Sequence, residues 1–223
     1  MENPIDRIIF VDKPANMTSF GAVARVRRIL SAEAGKKVKV GHCGTLDPFA
    51  TGLLILMAGK ATKRAMEFTK FDKIYEATLR LGFISTTGDP EGAITERQDT
   101  DTVGTISLDQ VKAHLQKFVG KISQTPPAFS AIKINGERAY KLARAGKAVE
   151  MPTRNVEIYS IDVLNYIPGE LKIRCHVSSG TYIRTLAEDF GESLGCGAYL
   201  TQLRRTRIGQ YDIADQKLFV LPE

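Results

Sequence analysis

Ile8 to Val11 is a short apolar run that halts at Lys13-Pro14, the pattern of a buried strand. Beyond Thr18 and Ser19 the apolar residues fall at Val23, Val26, Ile29 and Leu30, a helical spacing, and Gly35 supplies the stop. Val38 to Gly41 then leads into GHCGTLDPFATG, whose density of Gly, Thr, Asp and Pro predicts fixed turns, and Leu53 to Met57 follows as a strand. Tyr75, Ala77, Leu79 and Leu81 alternate with Glu76, Thr78 and Arg80, which predicts a half-buried strand with Tyr75 facing inward. Ser107 and Gln110 form a capping-box pattern for a helix ending near Gly120, and Asn135-Gly136 predicts a turn after the strand-like Ala131 to Ile134. Leu171 to Val177 alternates cleanly; Ser178-Ser179-Gly180 then turns into a helix beginning near Thr181, with Arg184 in its first turn. Strands and helices interspersed in this way predict an α+β domain around a mixed sheet.

Composition narrows the class. The chain has 223 residues, 43% of them hydrophobic, enough for one domain with a substantial core. Lys and Arg total 31 against 25 Asp and Glu, a net charge of +6 that favours a polyanionic partner. Cys43, Cys175 and Cys196 have no paired short spacing and follow no apolar leader, so a reduced cytoplasm is expected. The longest apolar stretch, Gly52 to Gly59, is too short to cross a bilayer, and no membrane association is expected.

Chemistry concentrates at Asp47. Pro48 biases its backbone away from the helical region, and Gly41, Gly44 and Gly52 allow a ligand close to the backbone. From spacing alone an ordinary Asp-Pro turn is the better reading. Likewise Arg184 alone reads as a surface arginine, and Tyr75 as a sheet aromatic. His42-Cys43 and Cys175-His176 with Cys196 make a poor metal site, because neighbours on extended backbone point to opposite faces. Cys175 is expected to be buried on its strand. AGKAT at Ala58 to Thr62 fails as a phosphate loop at Leu54 and Ala61, and GESLGCGAYL lacks the third dinucleotide glycine at Leu200.

The segment GHCGTLDPFATGLL resembles the signature loop of the B-type (TruB family) pseudouridine synthases, a long and specific motif. Other segments of that family occur in order: VDKPANMTS with Lys13, KIYEATLRLG with Tyr75, SSGTYIRTLAEDFG with Tyr182 and Arg184, and LTQLRRT with Leu203 and Arg204. Asn16 departs from the pattern, standing where Gly is usual, so a different local turn is expected. The resemblance implies a pseudouridine synthase fold, with a mixed, largely antiparallel sheet flanked by helices and loops. It implies isomerisation of uridine 55 in the T-arm loop of tRNA, with Asp47 as nucleophile, Arg184 paired to it, and Tyr75 against the flipped base as the base in proton transfer. His42 would contact the RNA and hold the target out of its stack. Lys13, Tyr182, Leu203 and Arg204 would complete the substrate site. An ionised Asp47 serves either a glycal route or a Michaelis adduct at C6, and the resemblance favours the glycal route. Isomerisation changes no oxidation state, so no cofactor and no metal is expected.

The target uracil is stacked and must be extruded, while Arg and Lys hold phosphates. Candidates are Lys60, Lys63, Arg64, Lys133, Arg138, Lys141, Arg144, Arg204 and Arg205. Residues 126–152 resemble the thumb insertion by which stand-alone members grip the T arm, a segment much shorter in guide-dependent relatives. Only 18 residues follow Arg205, so the small C-terminal RNA-binding domain of the PUA type common in the family is expected to be absent. The protein is expected to act as a monomer. A non-catalytic tRNA chaperone and a guide-RNA-dependent subunit are the alternatives.

Overall fold

The first apolar run forms β1 (Ile8–Lys13), in which buried and half-buried residues alternate. Thr18 caps α1 (Ser19–Glu33), its hydroxyl accepting the Gly21 N–H at 2.9 Å. Ala22, Val23, Val26 and Leu30 are buried along that helix, whereas Ile29 is only partly so. The chain continues through β2 (Val40–His42), β3 (Thr51–Ala58), a 3-10 turn, α2 (Ala65–Thr69) and β4 (Lys73–Leu81). The computed structural model describes residues 5–134, 136–147 and 149–221, which divide into two units: one through Tyr75 with Leu203 onward, the other Glu76 to Gln202.

In the first unit β3 is the central strand. β1 runs antiparallel to it from Ile8↔Met57 to Lys13↔Gly52, and β2 is antiparallel from Val40↔Ala58 to His42↔Leu56. Arg204 and Arg205 pair in parallel with Thr51 and Gly52. Leu53, Ile55 and Met57 pack with Cys43, Phe68 and Ile208, while the pleat sends Leu54 and Leu56 to the other face. Both faces are therefore covered, which is why this strand reads as unbroken apolar sequence.

The second unit carries most of β4, then β5 (Phe83–Ser85), β6 (Ile94–Glu96), α3 (Thr100–Gly104), α4 (Leu108–Gln116) and β7 (Gly120–Gln124). After these come β8 (Lys133–Ile134), β9 (Glu137–Arg138), α5 (Ala139–Arg144), β10 (Arg154–Ile167), β11 (Glu170–Val177) and α6 (Ile183–Leu194). β12 (Ala198–Ile208) leaves this unit for the first, where β13 (Tyr211–Asp212) folds back on it. β10 lies antiparallel between β7 and β11, and β4 adjoins β11. β11 alternates as expected, with Leu171, Ile173, Cys175 and Val177 buried. β8 and β9 pair antiparallel around the expected turn; Gly136 has φ 85°, and Asn135 lies outside the described residues. The fold is thus α+β, a mixed and largely antiparallel sheet flanked by helices, as expected.

Asn16 takes φ 61°, the left-handed conformation that glycine would supply and asparagine tolerates, so the turn after Pro14 keeps a glycine-like backbone despite the substitution. The capping box is present: Ser107 Oγ accepts the Gln110 N–H at 3.2 Å, and Gln110 Oε1 accepts the Ser107 N–H at 2.8 Å. Its helix stops at Gln116, short of Gly120, where β7 begins. Replacing Ser107 by Ala should lower the unfolding free energy by about 1 kcal/mol, seen as an earlier urea midpoint at unchanged slope.

Candidate active site

Asp47 is half-buried on the loop between β2 and β3, and the backbone around it is gripped by three buried side chains of the first unit. Ser19 donates its hydroxyl to the Leu46 carbonyl at 2.9 Å and accepts the Leu46 N–H at 2.8 Å. Lys13, fully buried at the end of β1, donates its ammonium to the carbonyls of Pro14 (2.8 Å), Met17 (2.6 Å) and Pro48 (3.1 Å). Arg205, 1% exposed, donates Nε to the Leu53 carbonyl at 2.9 Å, Nη1 to Thr45 at 3.4 Å and Nη2 to Gly44 at 3.2 Å. Gly52 has φ 104°, and a Cβ there would collide with the Arg205 carbonyl, so the close β3–β12 approach needs glycine. Ala50 N–H closes the turn on the Asp47 carbonyl at 3.2 Å. Carbonyls 44, 45, 46, 47 and 48 are thereby all occupied.

Two expectations change. Lys13, expected at the substrate, lies inside the protein with its ammonium on three carbonyls, and is a brace for the loop. Arg205, expected on phosphates, is likewise buried; its strand phase, two residues from buried Leu203, carried that signal. Arg204 holds Asp12 bidentately at 2.7 and 3.0 Å, so its charge is matched within the unit. Tyr75 is inward-facing at 8% exposure, as expected, and His42 ends β2 opposite Leu56. Burial pushes the Cys43 thiol up to about 11 against the field of Arg205. Lys73 is brought down to about 8, first by burial and then by Arg205, with Asp72 opposing.

The second unit holds Arg184, Tyr182 and residues 126–152, expected to form a thumb. Arg184 is the second residue of α6 but is 3% exposed, so the surface-arginine reading does not hold. Its Nη1 lies 3.3 Å from Asp89 Oδ2 and 2.9 Å from the Thr87 carbonyl, and Nη2 donates to the Phe129 carbonyl at 2.9 Å. Asp89, in an Asp-Pro turn like that of Asp47, was not anticipated as its partner; no local pattern links residues so far apart. Gln124, 1% exposed, grips the start of α6 twice, accepting the Tyr182 N–H at 2.7 Å and donating to its carbonyl at 3.0 Å. The Arg154 guanidinium stands 5.6 Å over the Tyr182 ring. Lys133, Arg138 and Arg144 are exposed; Arg138 donates to the Ala131 carbonyl, and Arg144 lies 5.9 Å over Tyr140.

Residues 27–183 match the model of the TruB family pseudouridylate synthase N-terminal domain, which places the chain among the pseudouridylate synthases. Residues 184–221 match the tRNA pseudouridylate synthase B C-terminal domain, so matches run on from α1 through β13. The chain belongs to the TruB family. It is 43% identical over 217 residues to the tRNA pseudouridine synthase B of Endomicrobium trichonymphae, covering 97% of this chain and 91% of that one. To the protein of that name from Phocaeicola vulgatus it is 46% identical over 209 residues, covering 93% and 88%. Among solved structures, a Cbf5-Nop10-Gar1 complex matches with TM-score 0.69 at 31% identity; the match covers 92% of this chain and only 49% of that one, about half its length.

Glu188 follows Arg184 by one helical turn, beside Asp89. Burial pushes its carboxyl up to about 7, opposed by Arg184 and reinforced by Asp189 and Asp89. A raised carboxyl contributes stability that is full below the unfolded value near 4.5 and lost as pH rises through about 7. The urea midpoint of wild type should therefore fall between pH 5 and pH 8 more than that of Glu188→Gln; equal declines would dismiss the assignment. Arg205→Met fills similar volume but strands three carbonyls, and equilibrium unfolding should show a loss of about 2–4 kcal/mol.

Proposed function

We propose that this pseudouridine synthase isomerises uridine 55 in the T-arm loop of tRNA, with Asp47 as its nucleophile. The observation that carries the proposal is a half-buried carboxylate on a loop whose backbone is fixed by buried Ser19, Lys13 and Arg205. A catalytic group held by a rigid frame meets its target without reorganising at the moment of reaction.

In this reading the target nucleotide leaves its stack, with His42 occupying the space vacated. Ionised Asp47 attacks C1′ and expels uracil at N1; on the glycal route the freed carboxylate then leaves with the C2′ proton, uracil turns, and the proton returns to C2′ as C5 joins C1′. The glycal route is favoured. Arg184 pairs with Asp47 and keeps it charged, while Tyr75, Tyr182 and Leu203 bound the flipped base. The C5 proton is lost with Tyr75 as base and N1 gains one, so the formula is unchanged and no cofactor takes part. Lys133, Arg138 and Arg144 of the thumb, with Arg204, hold the T-arm backbone. The enzyme works as a monomer in the cytoplasm. Support comes from the family membership and from relatives named for this activity on tRNA.

The likeness to a Cbf5-Nop10-Gar1 complex favours a second reading, a catalytic subunit that works within an assembly. One assay separates the two. Purified protein is incubated with an unmodified tRNA transcript tritiated at uridine C5, without guide RNA. Wild type should release tritium, and Asp47→Asn should fall by at least about a thousandfold while remaining folded. Substantial turnover by a folded Asp47→Asn would remove the nucleophile, and no release by wild type would favour the assembly reading.

A further inference from the structure

At the end of β3 remote from Asp47 lies a cavity of about 300 Å³ walled by Lys36, Lys37, Lys39, Lys60 and Lys63, with Asp6 the single acid in its lining. The first three follow α1, and the last two belong to the turn after β3. Two backbone links fix the floor between them. Gly59 N–H donates to the Lys39 carbonyl at 2.8 Å, and Asp6 Oδ1 accepts the Lys60 N–H at 2.7 Å. Gly59 has φ 60°, and a Cβ there would strike the Asp6 carboxylate, so the acid is locked against the backbone. All five lysines are exposed, and among the described residues none stands in a salt bridge. Five like charges round one concavity raise its potential far above that of scattered surface lysines.

We propose that this cavity is a second RNA-binding site, which holds the phosphodiester backbone of the substrate tRNA away from the flipped uridine. The inference rests on the tRNA reading above. Thr51 and Ala58 lie seven residues apart on β3, roughly 23 Å of strand, so the occupant reaches well beyond the loop that carries Asp47. A folded polyanion of that extent supplies several phosphates at once, and lysines hold them as point charges without reading sequence.

The test measures binding of an unmodified tRNA transcript across a salt series, without reference to turnover. Replacing Lys36, Lys37, Lys39, Lys60 and Lys63 together by Ala should reduce the slope of log affinity against log salt by about 3, and weaken binding at least tenfold near 0.1 M salt. A control removing the same charge elsewhere, with Ala at Lys70, Lys112, Lys117, Lys121 and Lys217, should change the slope by less than about 1. In wild type, bound tRNA should also shield the five cavity lysines from acetic anhydride. An unchanged slope in the cavity variant, or equal drops in the two variants, overturns the proposal. Because binding is read apart from tritium release, a failed isomerase reading and a failed cavity reading give different results.

Discussion

Two buried cations, Lys13 and Arg205, hold the backbone of the loop between β2 and β3 by its carbonyls, and the rest of the candidate site depends on that grip. Burying a charge is costly unless its donors are all used. Lys13 donates to three carbonyls, and Arg205 spreads its fork over Leu53, Thr45 and Gly44. The partners of Arg205 are peptide dipoles, and among the described residues no carboxylate stands in a salt bridge with it, so its positive charge is solvated without being cancelled. Its field is felt nearby: Arg205 helps bring Lys73 down and opposes the upward push of burial on Cys43. A loop stiffened in this way would suit the ionised Asp47 of the proposed mechanism.

The two cations are not interchangeable. Lys13 sits where three carbonyls converge on one point, within 2.6 to 3.1 Å of its nitrogen. Arg205 meets carbonyls on both sides of the loop, from Gly44 and Thr45 at its start to Leu53 beyond its end, which only a branched planar donor can span. That span requires β12 to lie close to β3 at Gly52, and the missing side chain there is what permits it. Glycine and arginine at paired positions are thus one device, in which the first admits the strand and the second ties the loop to it.

Much of this architecture is legible in the sequence where local chemistry decides the outcome. β4 and β11 alternate with period two, and the Ser107 capping box relies on residues three apart. β10 escapes such reading for a physical reason. Its fourteen residues carry register shifts between Ile158 and Ser160 and between Val163 and Asn165, and each irregularity resets the phase of the alternation. Asp47 stands out through its long motif, whereas Asp89 does not, because its tie to Arg184 spans 95 positions of chain and leaves no periodic trace. Lys13 and Arg205 mislead for a related reason. Charge suggests a surface, and only the strand phase of their neighbours says otherwise.

Arg184 faces the converse problem, since its guanidinium is surrounded by acids. Asp89 is buried with it and ion-paired, and Glu188 lies one helical turn away. If both acids were ionised, the group would be net negative before any further carboxylate approached, and a third anion would be repelled. The upward push of burial on Glu188 eases that obstacle, leaving the carboxyl largely neutral below about 7 beside the Arg184–Asp89 pair. Each proton lost from Glu188 would then add a negative charge beside Arg184 that competes with Asp89 for its guanidinium. Gln124 fixes where this competition takes place by gripping both polar backbone groups of Tyr182 just before the helix, so Arg184 cannot retreat from its acids by unwinding the first turn.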